Sequence, residues 1–209
     1  MAKAERLYIF PFNGNGIEAL DCIDPHEYEF MGFIDDDPVK LAASHPWPVL
    51  GRSILQTDTG SRVLAVPGGP LSFRKRKEHI DSLQLPAIRM ATVIHPSASI
   101  GRGVQVGINC LVMAGVVITS NAVLEDHVCI LPNSVVHHDS RIGAYTLMGS
   151  LVSVAGGTRI GSNCYIGSGS KIINGITIGD GVLVGLGSNV IRDVTAGITI
   201  AGNPAKQLK

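Results

Sequence analysis

Aromatic residues make up only 5% of this 209-residue chain, with a single tryptophan. A core so short of large rings must be built from small aliphatic side chains and tight turns, and 25 glycines are available for the turns. Net charge is also missing: 17 Lys and Arg balance 17 Asp and Glu. Such a chain has no electrostatic preference for nucleic acid or an anionic membrane, and neither is expected as a partner. One short basic run, Arg74-Lys75-Arg76-Lys77, reads as the solvated face of a helix. No apolar run approaches membrane-spanning length, so membrane insertion is not expected. Met1 to Arg6 lead straight into a short apolar strand, without a leader pattern. Cys22, Cys110, Cys129 and Cys164 are too widely spaced for a CxxC or zinc pattern, so no metal is expected. Reduced thiols in a cytoplasmic protein are the natural reading.

What the sequence does have is a period of six. From Ile94 through Val106, Ile118, Ile130, Ile142, Val154, Ile166 and Ile178 to Val190, every sixth residue is aliphatic, seventeen times in succession. Neither an α-helix nor an ordinary strand produces that period; a parallel β-helix does, with one hexad per side of each coil. Four residues after each aliphatic position comes a small or β-branched slot, suited to the inside of a narrow prism. Cys110 and Cys164 fall on this slot and read as core filler. The position before the slot is a corner, and it holds Gly, Asn or Asp from Gly103 to Asp193. The exceptions are Ser97, His127, Tyr145 and Leu151. Gly, Asn and Asp tolerate the left-handed backbone that a repeatedly turning chain needs. Three sides make a coil of eighteen residues, so residues eighteen apart stack about 4.8 Å apart.

The first ninety residues read differently. Leu7–Phe10, Phe30–Ile34 and Val63–Val66 are apolar runs suited to buried strands. Helices are expected over residues 16–22 and 72–83, with Ser72 as N-cap. Strands alternating with helices imply a small parallel α/β unit. Ligands of such units bind at the carboxyl ends of the strands. Those ends carry Asn13, Gly14 and Asn15, then Asp35 and Asp36, then Gly68. A glycine-rich turn before a helix suits a phosphate, and the acidic pair suits ribose hydroxyls or a base. Three segments are expected: an α/β unit over 1–92, a β-helix over 93–195 and a tail over 196–209.

With both parts laid out, the chain resembles the sugar O- and N-acetyltransferases related to the sialic acid O-acetyltransferases, including bacterial enzymes that N-acetylate UDP-linked 4-amino sugars. Gly32-Phe33-Ile34-Asp35-Asp36-Asp37-Pro38 and Val93-Ile94-His95-Pro96-Ser97-Ala98 carry the resemblance. So do Val136-His137-His138-Asp139 and Ala201-Gly202-Asn203-Pro204-Ala205-Lys206. It implies a left-handed parallel β-helix behind a Rossmann-like βαβ domain, acetyl-CoA as co-substrate, a nucleotide sugar as acceptor, and a homotrimer with shared sites. It also implies acetyl-CoA contacts at Ser168, Leu186, Pro204 and Lys206. The chain departs from the family pattern at Pro11 and Asn15, at Leu131-Pro132, at His137, and at Leu147, where relatives carry a second histidine.

Acetyl transfer from a thioester needs a base for the acceptor and a donor for the developing oxyanion. His138 is the candidate base, and Asp139 is placed to orient it. Eighteen residues past His138 stands Gly156, whose N–H is the candidate oxyanion donor. The corner position accounts for Gly157 and Gly175 but not for Gly156. An amine is favoured over a hydroxyl acceptor, because a lone histidine suffices for a sugar ammonium. Two other classes are open: a metal-dependent hydratase of the carbonic anhydrase type using His127, His137 and His138, and a non-catalytic binding protein on the same fold.

Overall fold

In the computed structural model, which describes residues 3–208, Glu5–Phe10 (β1), Tyr28–Ile34 (β2), Val49–Leu50 (β3) and Arg62–Ala65 (β4) form a parallel sheet ordered β3-β2-β1-β4. The last four residues of β1 are all buried, as expected of a strand covered on both faces. Gly14–Glu18 (α1) begins two residues earlier than the pattern implied, because Asn13 caps it: its Oδ1 accepts a 2.8 Å bond from the Gly16 N–H. The chain continues as a 3₁₀ turn to Cys22. Two short helices carry no clear sequence signal, Pro38–Ala42 (α2), capped by Asp37 with proline at its start, and Ile54–Thr57 (α3).

The expected helix over 72–83 is a 3₁₀ turn, Phe73–Lys75, followed by Arg76–Asp81 (α4). Ser72 makes no side-chain capping bond, contrary to expectation; the Lys75 N–H bonds its backbone carbonyl instead. The basic run is not a solvated face throughout. Arg76 is 0% exposed; its guanidinium donates to the Pro67 carbonyl and, at 2.8 Å, to that of His127. This helix lies between the two halves of the molecule, and the arginine bridges them.

From Val93–Ile94 (β5) to Asn189–Val190 (β21), seventeen two-residue strands follow one another every six residues. Up to Lys171–Ile172, each pairs in parallel with the strand eighteen residues on, as Val123 with Arg141 and Leu124 with Ile142; at the end of the coil the spacing shortens, and Leu183 pairs with Thr199. Three faces result: a first containing Val93–Ile94 and Leu111–Val112, a second containing Ser99–Ile100 and Val117–Ile118, and a third containing Gln105–Val106 and Val123–Leu124. The aliphatic residue of nearly every hexad is buried in one continuous core, together with Cys110 and Cys164. Buried hydroxyls inside the prism are satisfied along the axis: Ser134, Thr146 and Thr158 donate at 2.8–3.0 Å to the carbonyls of Gly149, Gly161 and Ile173, fifteen residues on. Thr199–Gly202 (β22) extends the first face, and Ala205–Gln207 (β23) folds back antiparallel on it. No helix among the described residues is long and apolar enough to cross a membrane.

Fifteen successive corners, from Gly103 to Gly187, take positive φ. They stack into three edges. Asn109, His127, Tyr145 and Asn163 lie on the first, Gly115, Asn133 and Leu151 on the second, and Gly103, Asn121, Asp139 and Gly157 on the third. His127, Tyr145 and Leu151 adopt the left-handed conformation at φ 64°, 62° and 59° although none is Gly, Asn or Asp. Ser97 and Asp193 do not adopt it; Asp193, expected as a corner, instead accepts a 2.7 Å bond from the Thr177 N–H where the chain leaves the regular coil.

The α/β unit packs on the first face and first edge. Leu7, Phe33, Leu64 and Val66 share a core with Leu111, Met113, Cys129 and Leu147. The first edge explains its irregular corners. The Asn109 amide accepts from the Ala65 N–H at 2.7 Å and donates to the Ala65 carbonyl at 2.9 Å, pairing with the open side of β4 as a strand would. It also contacts His127 Nδ1 at 3.1 Å, and the His127 ring stacks on Tyr145 at 4.5 Å. Tyr145 donates to Asp81 at 3.0 Å. Asn109→Gly keeps the corner and removes the buried amide. It is expected to destabilise the protein by about 1–3 kcal/mol, read from urea denaturation midpoints.

Candidate active site

His138 stands on the third edge, immediately before the Asp139 corner, and both side chains are exposed. Asp139 Oδ2 lies 2.7 Å from His138 Nδ1, and Asp139 Oδ1 accepts a 3.1 Å bond from Asn121 Nδ2. These two bonds, His138's first, hold the Asp139 carboxyl below its ordinary range, so it is ionised at neutral pH. A carboxylate only accepts, so in the neutral ring the proton sits on Nδ1 and the lone pair on Nε2. That is the form a base requires.

The Nε2 side of the ring lies against Gly156. A Cβ added to Gly156 would stand 2.6 Å from Nε2 and 2.7 Å from Cε1. The backbone there has no left-handed φ, so it is the imidazole, and not the turn, that excludes a side chain. Glycine has a second effect. At several corners the N–H of the preceding residue is taken by a side chain one coil on: Ile108 by Asp126 at 3.0 Å, Ser150 by Ser168 at 3.2 Å, Ser162 by Asp180 at 2.7 Å. Gly156 offers no such acceptor to His138. Its own N–H is without a partner among the described residues. Two free donors and a free imidazole nitrogen thus share one patch of the third edge.

Farther along that edge, Arg192 and Asp193 line a hollow of about 280 Å³ together with Pro204 and Lys206. Arg192 is 36 residues past Gly156, two coils, or about 10 Å along the axis. Ser168 and Leu186 are exposed and stack on each other, but they precede corners of the second edge. The second face separates them from Gly156.

The strand-end residues form a separate cleft. The chain runs outward from β1 to β3 and returns on the other side of β1 as β4, leaving a crevice between the carboxyl ends of β1 and β4. This crevice, about 410 Å³, is lined by Asn13, Asp35, Asp36 and Gly68, and also by Lys40, Ser72 and His79. Gly14 and Asn15 do not line it. Asn15 instead ties the two loops together through a 3.3 Å bond to the Gly68 carbonyl. Asp35 is buried and spent on internal bonds: it accepts from Phe12 N–H and Asp37 N–H at 3.0 Å and from Lys40 Nζ at 2.8 Å. Asp36 is exposed and paired with Arg52. Gly68, at φ +115°, holds a backbone open only to glycine.

The cleft and His138 lie on different sides of the prism. The α/β unit covers the first face, and the third edge is the corner opposite it, between the second and third faces. Leu147 is buried on the first face, 3.8 Å from a Cβ placed at Gly68, and far around the prism from its own chain's His138. His127 is likewise committed to the first edge. Among the described residues no group of three or more His, Cys, Asp or Glu is placed to hold a metal ion. Asn121, Lys40 and His79 are functional candidates that the sequence alone did not single out. Counting back eighteen from Asp139 finds Asn121; nothing local marks the other two. Gly156→Ala is expected to displace the imidazole and lower kcat by roughly 10² while leaving the thermal melt unchanged, since only the His138 contact is violated.

Two family models match the repeat: bacterial transferase hexapeptide (six repeats) over residues 157–192, and hexapeptide repeat of succinyl-transferase over residues 97–120. Comparison with curated protein sequences gives no match. Among solved structures, the acetyltransferase domain of PglB from Neisseria gonorrhoeae FA1090 matches with a TM-score of 0.82 at 27% identity, covering 98% of this chain and 100% of that one. PerB from Caulobacter crescentus, in complex with CoA and GDP-perosamine, matches with a TM-score of 0.83 at 28% identity, covering 100% and 99%. WeeI from Acinetobacter baumannii AYE, at 20% identity and a TM-score of 0.71, shares the fold. The left-handed β-helix with an α/β unit before it, implied by the resemblance, is the fold observed. In its repeat, its fold and over its full length, the chain is similar to the PglB acetyltransferase domain and to PerB, the kind of protein that the sequence resemblance implied.

Proposed function

We propose that this chain transfers the acetyl group of acetyl-CoA to the amino group of a nucleotide-linked amino sugar, with His138 as general base. The observation that carries the reading is the single patch holding His138 Nε2, the Asp139 carboxylate behind it, and the unpartnered Gly156 N–H. His138 Nε2 takes a proton from the sugar ammonium, and the amine attacks the thioester carbonyl carbon. A C–N bond forms, and the oxyanion of the tetrahedral intermediate is held by the Gly156 N–H. As the C–S bond breaks, the proton on His138 passes to the departing thiolate, and the freed Nε2 takes the surplus proton from the attacking nitrogen and loses it to solvent, leaving a neutral amide and the CoA thiol. Asp139 stabilises the imidazolium between the two transfers without itself being protonated.

The likenesses support an amine acceptor and a CoA donor. The N. gonorrhoeae PglB domain has also been crystallised with acetyl coenzyme A, and a GDP-perosamine N-acetyltransferase of C. crescentus with CoA and GDP-perosamine. The α/β crevice at the strand switch point, with Asn13, Asp36 and Gly68 around it, suits the nucleotide part of the acceptor. The hollow at Pro204 and Lys206, in line with Gly156 on the third edge, suits the far end of CoA. O-acetylation is not favoured, and a hydratase is unsupported by the separated histidines.

One chain cannot bring its own cleft to its own His138. The uncovered second face, flanked by the third edge, carries exposed apolar side chains: Ile173 and Ile191 lie on it, and Leu151 and Leu186 stand 64% and 83% exposed along the second edge. Packing that face against a neighbour supplies a cleft from a second copy, and a homotrimer closes the ring so that each chain is completed in the same way. Two measurements test the reading. With a nucleotide-linked amino sugar as acceptor, His138→Ala is expected to lower kcat by roughly 10²–10⁴ with little change in acetyl-CoA affinity; wild-type turnover in the variant, or acetylation only of free sugars by the parent, overturns the assignment. Light scattering is expected to give three times the mass of one chain, and a fully active monomer overturns the shared site.

A further inference from the structure

We infer that Asn121 is a positioning residue for acetyl transfer: it fixes the Asp139 carboxylate in the orientation that aligns His138, an inference that rests on the proposed role of His138. Four corner asparagines in the prism can be compared. Asn109 and Asn163 bond the α/β unit, to Ala65 and to the Arg74 carbonyl. Asn133 makes no side-chain hydrogen bond among the described residues and serves the turn alone. Asn121 shares the left-handed φ of the others, 60°, but its amide runs along the third edge. Its Oδ1 lies over Gly103, where an added Cβ would stand 2.6 Å away, and its Nδ2 donates to Asp139 Oδ1 at 3.1 Å.

That bond matters because the pair it supports has little else to hold it. His138 and Asp139 are 64% and 57% exposed, and their own contact is a single bond to Oδ2. An exposed aspartate turns about its last torsion, whose well is broad. With Oδ1 fastened one coil back by Asn121, only Oδ2 is left to face Nδ1, and the ring is held with Nε2 over Gly156. The fixed amide orientation is consistent with the chemistry: a carboxylate accepts only, so the NH₂ side must face it. Asn121 makes no hydrogen bond to the imidazole or to Gly156; it acts through Asp139.

The test compares Asn121→Gly with Asn133→Gly, both of which keep the corner conformation. Asn121→Gly is expected to lower kcat roughly 3- to 10-fold at unchanged KM for acetyl-CoA, the scale of one hydrogen bond to a charged group, and Asn133→Gly to leave kcat unchanged. In an Asp139→Gly background, adding Asn121→Gly is expected to have no further effect, whereas a role in stabilising the prism would add to the loss. Equal kcat in the two single variants, or an additive loss in the double, overturns the inference. His138→Ala measured alongside separates the two claims. If it keeps full turnover, the base assignment falls and this inference with it. If it is inactive while Asn121→Gly is silent, only the positioning role falls.

Discussion

A left-handed residue every sixth position is the constraint on which this molecule depends. It closes each coil, sets the eighteen-residue stacking, and so decides which side chains become neighbours along the axis. For L-residues that backbone costs roughly 1–2 kcal/mol, least for Gly and Asn. Where another residue bears the cost, a compensating contact is often visible. His127 and Tyr145 stack on each other, and the stack is tied to Asn109 at one end and to Asp81 at the other. The corners are thus the places where the repeat is allowed to carry information, and each edge carries a different kind. The first is a seam to the α/β unit, and the third carries the His138–Asp139 pair.

The third edge gathers its groups by stacking alone. His138 and Asp139 are sequence neighbours, but Asn121 and Gly156 reach them only through the coil length. The imidazole needs bare backbone beneath it, and a position outside the corner supplies it in Gly156. The strand-end cleft obeys another rule, that of a parallel sheet with a switch point, and stands behind the first face. The two halves of the proposed site are therefore built on different principles, and the proposed assembly joins them across chains.

The period of six and the corner residues make the prism legible in the sequence, because each hexad repeats one local requirement and errors do not accumulate. Gly156 is legible for the same reason, by adding eighteen to 138. Legibility fails where interactions are specific to one place. Arg76 looks like part of a solvated basic run, yet it is buried, because its carbonyl partners at Pro67 and His127 lie 9 and 51 residues away. Asp35 resembles a ligand of the cleft and is consumed by the Phe12 and Asp37 N–H groups and Lys40, bonds that depend on loop shape.

Asn109 has a consequence for the behaviour of the protein in solution. A parallel sheet of four strands must end somewhere, and an exposed terminal strand is a template on which another chain can grow. Here the terminal strand β4 meets the bridging residue Met90 along one stretch and the Asn109 amide along the next. A single side chain, projecting from a corner of the neighbouring prism, imitates a fifth strand and occupies both backbone groups of Ala65. The prism therefore acts toward the α/β unit as a built-in stopper against edge-to-edge aggregation, and it does so with a residue type already required by the turn.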